Sequence, residues 1–284
     1  MGRLKHSWAM LKASAGILSR RRRLLVLPLL SGLCVLILAA SFLVPVVWGS
    51  GLLDRIDGVE SGGDHLPYWY VLVFVFYLVQ YTVVVFFNTA LAGMVMRQLD
   101  GHAPTLRDGL RMAWAKWPHV LGYAAIAATV GWVLRALEQR LGLVGRWVTG
   151  LLGVTWSVAT FLVVPVLAAT DTGPIDAVKR SGRMLKRTWG ENLIGHIGLG
   201  ALFGVAIVVL FLVWIVPFVM AAGSGTPSIA WGMFGALMLM LLLAGLVKSA
   251  LEGVYAVVLY RYAADGDVGA DVDPVLMKQA FRAG

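Results

Sequence analysis

Residues 203–222 read FGVAIVVLFLVWIVPFVMAA, twenty positions without one charged, amide or hydroxyl side chain. An α-helix rises about 1.5 Å per residue, so about 20 such residues cross the hydrocarbon core of a bilayer. Apolar runs of this kind recur along the chain at 24–48, 69–96, 119–134, 147–169, 193–222 and 229–262. The sequence therefore predicts an all-α, polytopic membrane protein with six transmembrane helices.

The composition leads to the same class. The 284 residues are 59% hydrophobic and 14% charged, with a mean hydropathy of +0.81, whereas a soluble domain carries about 25% charged residues. This excludes a soluble globular protein. The single cysteine, Cys34, lies inside the first apolar run, which excludes an intrachain disulfide and a cysteine-based metal site.

The Lys and Arg residues lie mostly on one side of the six-helix plan. Nineteen of the 24 fall at the two termini and in the second and fourth loops, whereas the first and third loops hold only Arg55, Arg135, Arg140 and Arg146. Cytoplasmic loops carry an excess of such residues. We therefore expect a multi-pass protein of the bacterial cell (plasma or inner) membrane with both termini cytoplasmic. The net charge of +9 does not indicate nucleic acid, because orientation and anionic lipid account for it.

A short basic motif recurs along the chain. Residues 4–12 (LKHSWAMLK) and 178–186 (VKRSGRMLK) coincide at five of nine positions, and 108–113 (DGLRMA) resembles 176–181 (DAVKRS). The pattern predicts three units, 1–96, 97–169 and 170–262, each a cytoplasmic amphipathic helix followed by a transmembrane hairpin, with a cytoplasmic tail at 263–284. Because each unit starts on the same side, these would be parallel repeats within one membrane domain. Chance similarity is the alternative explanation.

Several further segments resemble a known family. They are 86–91 (FFNTAL), 108–110 (DGL), 153–157 (GVTWS), 163–166 (VVPV), 179–181 (KRS), 188–192 (TWGEN) and 259–263 (LYRYA). They are similar to signatures of an uncharacterised prokaryotic family of six-helix integral membrane proteins, a domain of unknown function. The resemblance implies fold and topology and transfers no catalytic residue. A looser similarity extends to bacterial membrane domains with a basic helix before each hairpin, including the membrane region of some glycerophosphodiester phosphodiesterases.

Four polar residues inside the apolar runs are candidate functional residues, because hydrocarbon makes polar side chains costly. Gln80 and Asn88 are eight residues apart, roughly on one helical face, and either bond a neighbouring helix or line a cavity. Lys248 and Glu252 have the i, i+4 spacing of an ion pair. That pair is either structural or a coupled proton or ion site. Prolines at 45, 165 and 217 predict kinks in their helices.

Other candidates lie at the predicted cytoplasmic interface, where basic helices meet anionic lipid. Glu191 can cap the fifth span with Trp189 as an interfacial anchor, or form a headgroup or ion site with His196. The candidate lipid-binding or partner-binding residues are Lys5, Lys12, Arg111, Lys116, Lys179, Arg180, Lys186, Trp189, Glu191 and His196.

The sequence contains no zinc-protease motif, nucleophile elbow or Walker sequence. We therefore expect no enzyme, no catalytic residue, no metal and no cofactor. Two function classes stay open. The first is a membrane-organising or regulatory protein whose basic helices bind anionic lipid headgroups, a membrane-protein partner or a second copy. The alternative is a small-solute or ion transporter or channel that uses the polar residues between repeats.

Overall fold

The computed structural model describes the backbone of residues 22–49, 67–187, 189–223 and 227–265. In these ranges the regular structure is entirely helical. A 3-10 turn at Arg22–Leu25 precedes eight α-helices: α1 Val26–Gly49, α2 Pro67–Leu99, α3 Leu106–Ala115, α4 Trp117–Thr160, α5 Val163–Ala169, α6 Pro174–Arg187, α7 Trp189–Gly223 and α8 Pro227–Asp265. Lys5 and Lys12, the first predicted basic helix and residues 266–284 of the predicted tail lie outside the described residues.

Six helical segments are long and apolar enough to cross a membrane. They are Arg23–Phe42, Val71–Leu99, Trp117–Leu141, Gly145–Ala169, Phe203–Met220 and Trp231–Ala264. The predicted all-α class and the six apolar helices are thereby confirmed, and they fit a multi-pass membrane protein. The third segment extends beyond 119–134, because the helix continues through Arg135 and Leu137, a continuation that the shortness of this apolar run already suggested.

Helix α4 folds back on itself. A straight helix of 44 residues would measure about 66 Å, twice the hydrocarbon core. However, Lys116, just before α4, donates through Nζ to the carbonyl of Thr170 at 3.1 Å, and the Tyr123 hydroxyl is hydrogen-bonded to Thr160. The two arms are therefore antiparallel and reverse near Leu141–Gly145, where one span ends and the next begins. A helical turn replaces the loop that the sequence predicted between residues 134 and 147.

The second arm of α4 is separated from α5 by a short break. Helix α4 ends at Thr160 and α5 begins at Val163. Pro165 is the third residue of α5. Proline lacks an N–H, and its ring crowds the carbonyl four residues earlier, so the helix breaks close to the predicted position. The Leu162 N–H donates to Ser181 Oγ at 3.1 Å, and the Ser181 hydroxyl donates to the carbonyl of Ala159 at 2.7 Å. A fully buried serine from α6 thus satisfies the interrupted backbone.

Helices α3 and α6, which lie between the spans, each bury one face. At the start of α3, Thr105 Oγ1 accepts from the Asp108 N–H at 3.3 Å and the Thr105 N–H donates to Asp108 Oδ2 at 2.9 Å, which is a capping box. Helix α3 buries Gly109 and Ala113. Helix α6 buries Ala177, Ser181 and Leu185, at the i, i+4, i+8 positions of one stripe.

Helices α2 and α8 form the centre of the bundle. One buried cluster joins the start of α1 to α2 and α8, and a second joins α4, α5 and α6 to α8. Helix α2 contacts α1, α3, α4, α5 and α8, whereas α7 packs mainly on α8. The core is therefore built around a pair of long helices from opposite ends of the chain.

Two ion pairs join the helix ends on one side of the bundle. Arg261, near the end of α8, pairs with Asp100, just after α2. Lys116 pairs with Asp171, just after α5. The ends of α2, α5 and α8 and the start of α4 therefore lie together, and we call this side the basic end.

Removal of the Ser181 hydroxyl tests its role at the helix break. In Ser181→Ala the buried Leu162 N–H loses its acceptor, and leaving a buried donor unpaired destabilises a protein by about 1–3 kcal/mol. The measurement is reversible unfolding of the full-length protein in detergent.

Ser41→Ala is the matched control, because the exposed Ser41 hydroxyl only bonds the Leu38 carbonyl of its own helix at 2.9 Å. We expect Ser41→Ala to change stability by less than about 0.5 kcal/mol. Equal effects of the two substitutions would contradict the role given to Ser181.

Candidate functional site

A cavity of about 140 Å³ lies between α2, α8 and the break that separates α4 from α5. It has room for about five water molecules at ~30 Å³ each. Its lining residues are Asn88, Ala92, Phe161, Val164, Pro165, Ser249, Glu252, Gly253 and Ala256. Asn88, Ser249 and Glu252 are the polar members, so the cavity combines an apolar wall with an amide, a hydroxyl and a carboxylate.

Helical spacing explains how these side chains converge. Ser249, Glu252 and Ala256 follow one another at three-residue and four-residue steps, which places them on one stripe of α8. Asn88 and Ala92 are likewise four residues apart on α2. Gly253 permits the close approach of the two helices, because a Cβ at this position would stand 2.6 Å from Leu91 Cδ2. A larger residue at 253 would require the Leu91 side chain to shift.

The predicted pair of Lys248 and Glu252 is present, with Lys248 Nζ 3.5 Å from Glu252 Oε1. The two side chains are 37% and 29% exposed. A charge-assisted hydrogen bond usually measures about 2.7–2.9 Å, so the ion pair is loose. Glu252 lines the cavity, whereas Lys248 approaches it only through Glu252.

The structure brings together only part of the predicted intramembrane set. Asn88 lies in the same cavity as Glu252, although the two are far apart in sequence. Gln80 does not line this cavity and is half-buried two helical turns away, about 12 Å along α2. Ser249 and the break near Pro165 were not associated with Glu252 in the sequence. The only available signals were the position of Ser249 beside Lys248 and the predicted kink at Pro165.

The candidate interfacial residues have different environments at the basic end. Arg111 on α3 is exposed, as are Lys179 and Lys186 on α6, and Arg180 is half-buried. Lys179 Nζ lies 3.5 Å from Asp176 Oδ1 in a pair within α6. The backbone of Trp189, Glu191 and His196 is helical, as part of α7, but their side chains lie outside the described residues.

Lys116 differs from the other cations because its ammonium already forms an ion pair with a residue of another segment. Its side chain is 18% exposed and pairs with Asp171. The hydrogen bond and positive charge of Lys116 hold the pKa of Asp171 below its usual value, with a smaller contribution from His119. Lys116 therefore joins two helix ends and is not a free lipid-facing cation.

The carboxylate of Asp108 is also paired, because it accepts hydrogen bonds from Thr105 at the start of α3. Hydrogen bonds from the Thr105 backbone and side chain lower its pKa, and Arg97 and Arg111 contribute less. Beside Arg111, the exposed Trp114 stacks on Trp117 with ring centroids 5.6 Å apart. Exposed indoles next to arginines are typical of a membrane–water interface.

At the other end, an open cleft lies between the two arms of α4. It is lined by Gly131, Leu134, Arg135, Glu138, Gln139, Arg146, Thr149 and Gly150. Arg146 Nε lies 3.8 Å from Glu138 Oε1, and Arg135 donates to the Tyr77 hydroxyl at 3.2 Å. Sequence reasoning placed these residues at the edge of a loop and so missed the cleft. Within the described ranges, no group of three or more His, Cys, Asp or Glu side chains could hold a metal ion.

The pairing of Lys116 with Asp171 predicts a dependence of stability on pH. A lowered pKa in the folded state means that the pair stabilises the protein above the ordinary aspartate value of 3.8 and ceases to do so as pH falls through the folded-state pKa. Asp171→Asn should therefore lower the melting temperature at pH 7, and its difference from wild type should shrink below pH ~4.

Asp176→Asn is the comparison variant, because its pair with Lys179 lies within one helix and both side chains are about two-thirds exposed. We expect it to lower the pH 7 melting temperature less than Asp171→Asn does. An Asp171→Asn deficit that stays constant down to pH 2 would contradict the electrostatic explanation.

Comparison with known proteins identifies the family. A family model described as "Family of unknown function (DUF6159)" matches residues 68–270. The segments that suggested a six-helix family of unknown function lie within this range. Searches of the curated proteins and of the solved structures found no match. Because the family match covers more than half of the chain, the protein belongs to DUF6159, a family of unknown function.

Proposed function

We propose that this protein is a non-enzymatic, membrane-organising protein that holds anionic lipid headgroups against the outer faces of α3 and α6. The observation that carries this proposal is a set of cations at the basic end without ion-pair partners. Within the described residues, Arg107, Arg111, Arg183 and Lys186 are exposed and form no ion pair. Such cations attract the negative surface of a bilayer by about 1 kcal/mol each.

Among the described residues, the nearby carboxylates already have partners. Asp100 pairs with Arg261, Asp171 pairs with Lys116, and Asp108 is held by Thr105 in the capping box. Asp176 pairs with Lys179 in the same helix. The outward positive charge of α3 and α6 therefore remains available to a ligand in the bilayer.

Packing of the short helices supports the proposed repeats. A shift of 68 positions carries Gly109 and Ala113 of α3 onto Ala177 and Ser181 of α6, and all four are buried. Gly109 lies against Met94 and the Ala90 carbonyl. The same shift carries Met94 onto Leu162, whose N–H donates to Ser181. Helices α3 and α6 thus dock on the span that precedes each of them at positions that correspond to within one helical turn, which supports parallel units 97–169 and 170–262.

The orientation is part of the proposal. Exposed basic residues at the basic end are Arg23, Arg97, Arg107, Arg111, Lys179, Arg183 and Lys186, whereas those at the opposite end are Arg135, Arg140 and Arg146. We place the basic end in the cytoplasm, because cytoplasmic segments are enriched in Lys and Arg. Both termini of the chain then lie on the cytoplasmic side of the cell membrane.

The proposal predicts selective loss of the response to anionic lipid. For the full-length protein, phosphatidylglycerol should raise the melting temperature more than phosphatidylcholine does, and salt should reduce the difference. The triple variant R107Q/R111Q/K186Q should weaken the apparent affinity for phosphatidylglycerol by about 100-fold, because it removes about 3 kcal/mol of attraction.

The matched control is the triple variant R135Q/R140Q/R146Q, which removes the same charge from the opposite end. We expect it to lose much less of the response to phosphatidylglycerol, because Arg146 already pairs with Glu138 and Arg135 bonds the Tyr77 hydroxyl. Equal losses in the two triple variants, or no loss in either, would refute lipid binding by α3 and α6.

A further inference from the structure

We propose that the cavity between α2, α8 and the α4–α5 break binds a small monovalent cation, with Asn88, Ser249 and Glu252 as its oxygen donors. This site is distinct from the lipid-binding surface proposed for the basic end. Lys248 acts in it as a built-in competitor, because its ammonium pairs with the Glu252 carboxylate. The cation and Lys248 therefore exchange at one carboxylate.

The lining of the cavity selects hard cations. The oxygen-bearing side chains of Asn88, Ser249 and Glu252 come from two different helices, and the remaining side chains are apolar. Hydrocarbon strongly disfavours isolated polar side chains, so their convergence on one partly open cavity points to a shared polar ligand. Oxygen donors suit hard cations and offer little to soft transition metals.

The charge of the site favours a monovalent cation. Glu252 is the single carboxylate in the lining. Calcium sites in proteins supply six to eight oxygens, commonly with several carboxylates, and magnesium demands a near-ideal octahedron. A single carboxylate with one amide and one hydroxyl balances one positive charge instead.

The break between α4 and α5 adds a further feature of ion sites. Phe161, in that break, and Pro165, near the start of α5, both line the cavity. Coupling-ion sites in transporters are typically formed by discontinuous helices near the middle of the bilayer. Glu252 is nine residues before Arg261, about 14 Å along α8 from the basic end. The cavity is therefore well below the ion pairs at that end.

The geometry of the Lys248 pair allows exchange. The 3.5 Å separation is loose, and Lys248 is more than a third exposed and outside the lining. A lysine side chain has a flexible four-carbon stem, so its ammonium can leave Glu252 without movement of the backbone. Removal of Lys248 should therefore strengthen cation binding, whereas removal of the Glu252 charge should abolish it.

The test measures the melting temperature of the full-length protein in phosphatidylcholine nanodiscs, which lack anionic lipid. Sodium, potassium or N-methylglucamine chloride is titrated at constant ionic strength. A cation that binds the folded state raises the melting temperature in proportion to the logarithm of its concentration once that concentration exceeds the dissociation constant, so sodium or potassium should do so. N-methylglucamine, which is too large for a cavity of about 140 Å³, should not.

The variants separate the cavity from the rest of the protein. Glu252→Gln should lose the cation-dependent shift, and Lys248→Met should lower the apparent dissociation constant several-fold. Glu138→Gln is the matched control, because Glu138 also pairs with a basic residue, Arg146, at 3.8 Å but lies at the opposite end. It should behave as the wild type.

Asn88→Ala provides a second test if Glu252→Gln does not fold, and it should raise the apparent dissociation constant several-fold. A cation-dependent shift that persists unchanged in Glu252→Gln or in Asn88→Ala would overturn the proposal, as would no shift in the wild type and Lys248→Met. The R107Q/R111Q/K186Q variant should keep the cation response, so failure of the lipid proposal and failure of this one give different results.

Discussion

The constraint on which this structure depends is that hydrocarbon offers no hydrogen-bond partner to the backbone. A span interrupted by a proline must therefore satisfy its free groups within the protein. Here the buried Ser181 hydroxyl accepts from the Leu162 N–H and donates to the Ala159 carbonyl. This requirement fixes α6 against the α4–α5 break, and the position of α6 in turn sets the direction in which its cations point.

One fourteen-residue helix thus connects the two proposed sites. The inner face of α6 supplies Ser181 to the break that borders the cavity, and its outer face carries Lys179, Arg183 and Lys186. The ion pair between Lys116 and Asp171, at the segment just before α6, holds the same region to the start of α4. The cavity and the exposed cations of α6 therefore both depend on the packing of α6 against α4 and α5, although the two proposed ligands differ in chemistry.

The sequence predicted the features that depend on residues close together in the chain. A charge-free apolar run of about 20 residues has few alternatives to a span, and the i, i+4 spacing of Lys248 and Glu252 predicted a pair that the structure contains. The meeting of Asn88 with Glu252 could not be predicted, because it depends on the packing of α2 against α8. The ion pair of Lys116 could not be predicted either, because its partner Asp171 is 55 residues away. The sequence therefore indicated only an interfacial cation at this position. The helical turn of α4 was missed because the charged residues around Glu138 interrupt the apolar pattern of a span, although Arg, Glu and Gln are good helix formers.

The central claim is that α3 and α6 lie together on the cytoplasmic side, opposite the turn of α4. Single cysteines at Arg111, Arg183 and Arg140, each in a Cys34→Ala background, test it by labelling with a membrane-impermeant maleimide. The account predicts that Arg140→Cys is labelled in intact cells, whereas Arg111→Cys and Arg183→Cys are labelled only after permeabilisation. Labelling of Arg111→Cys or Arg183→Cys in intact cells, or protection of Arg140→Cys there, would contradict it.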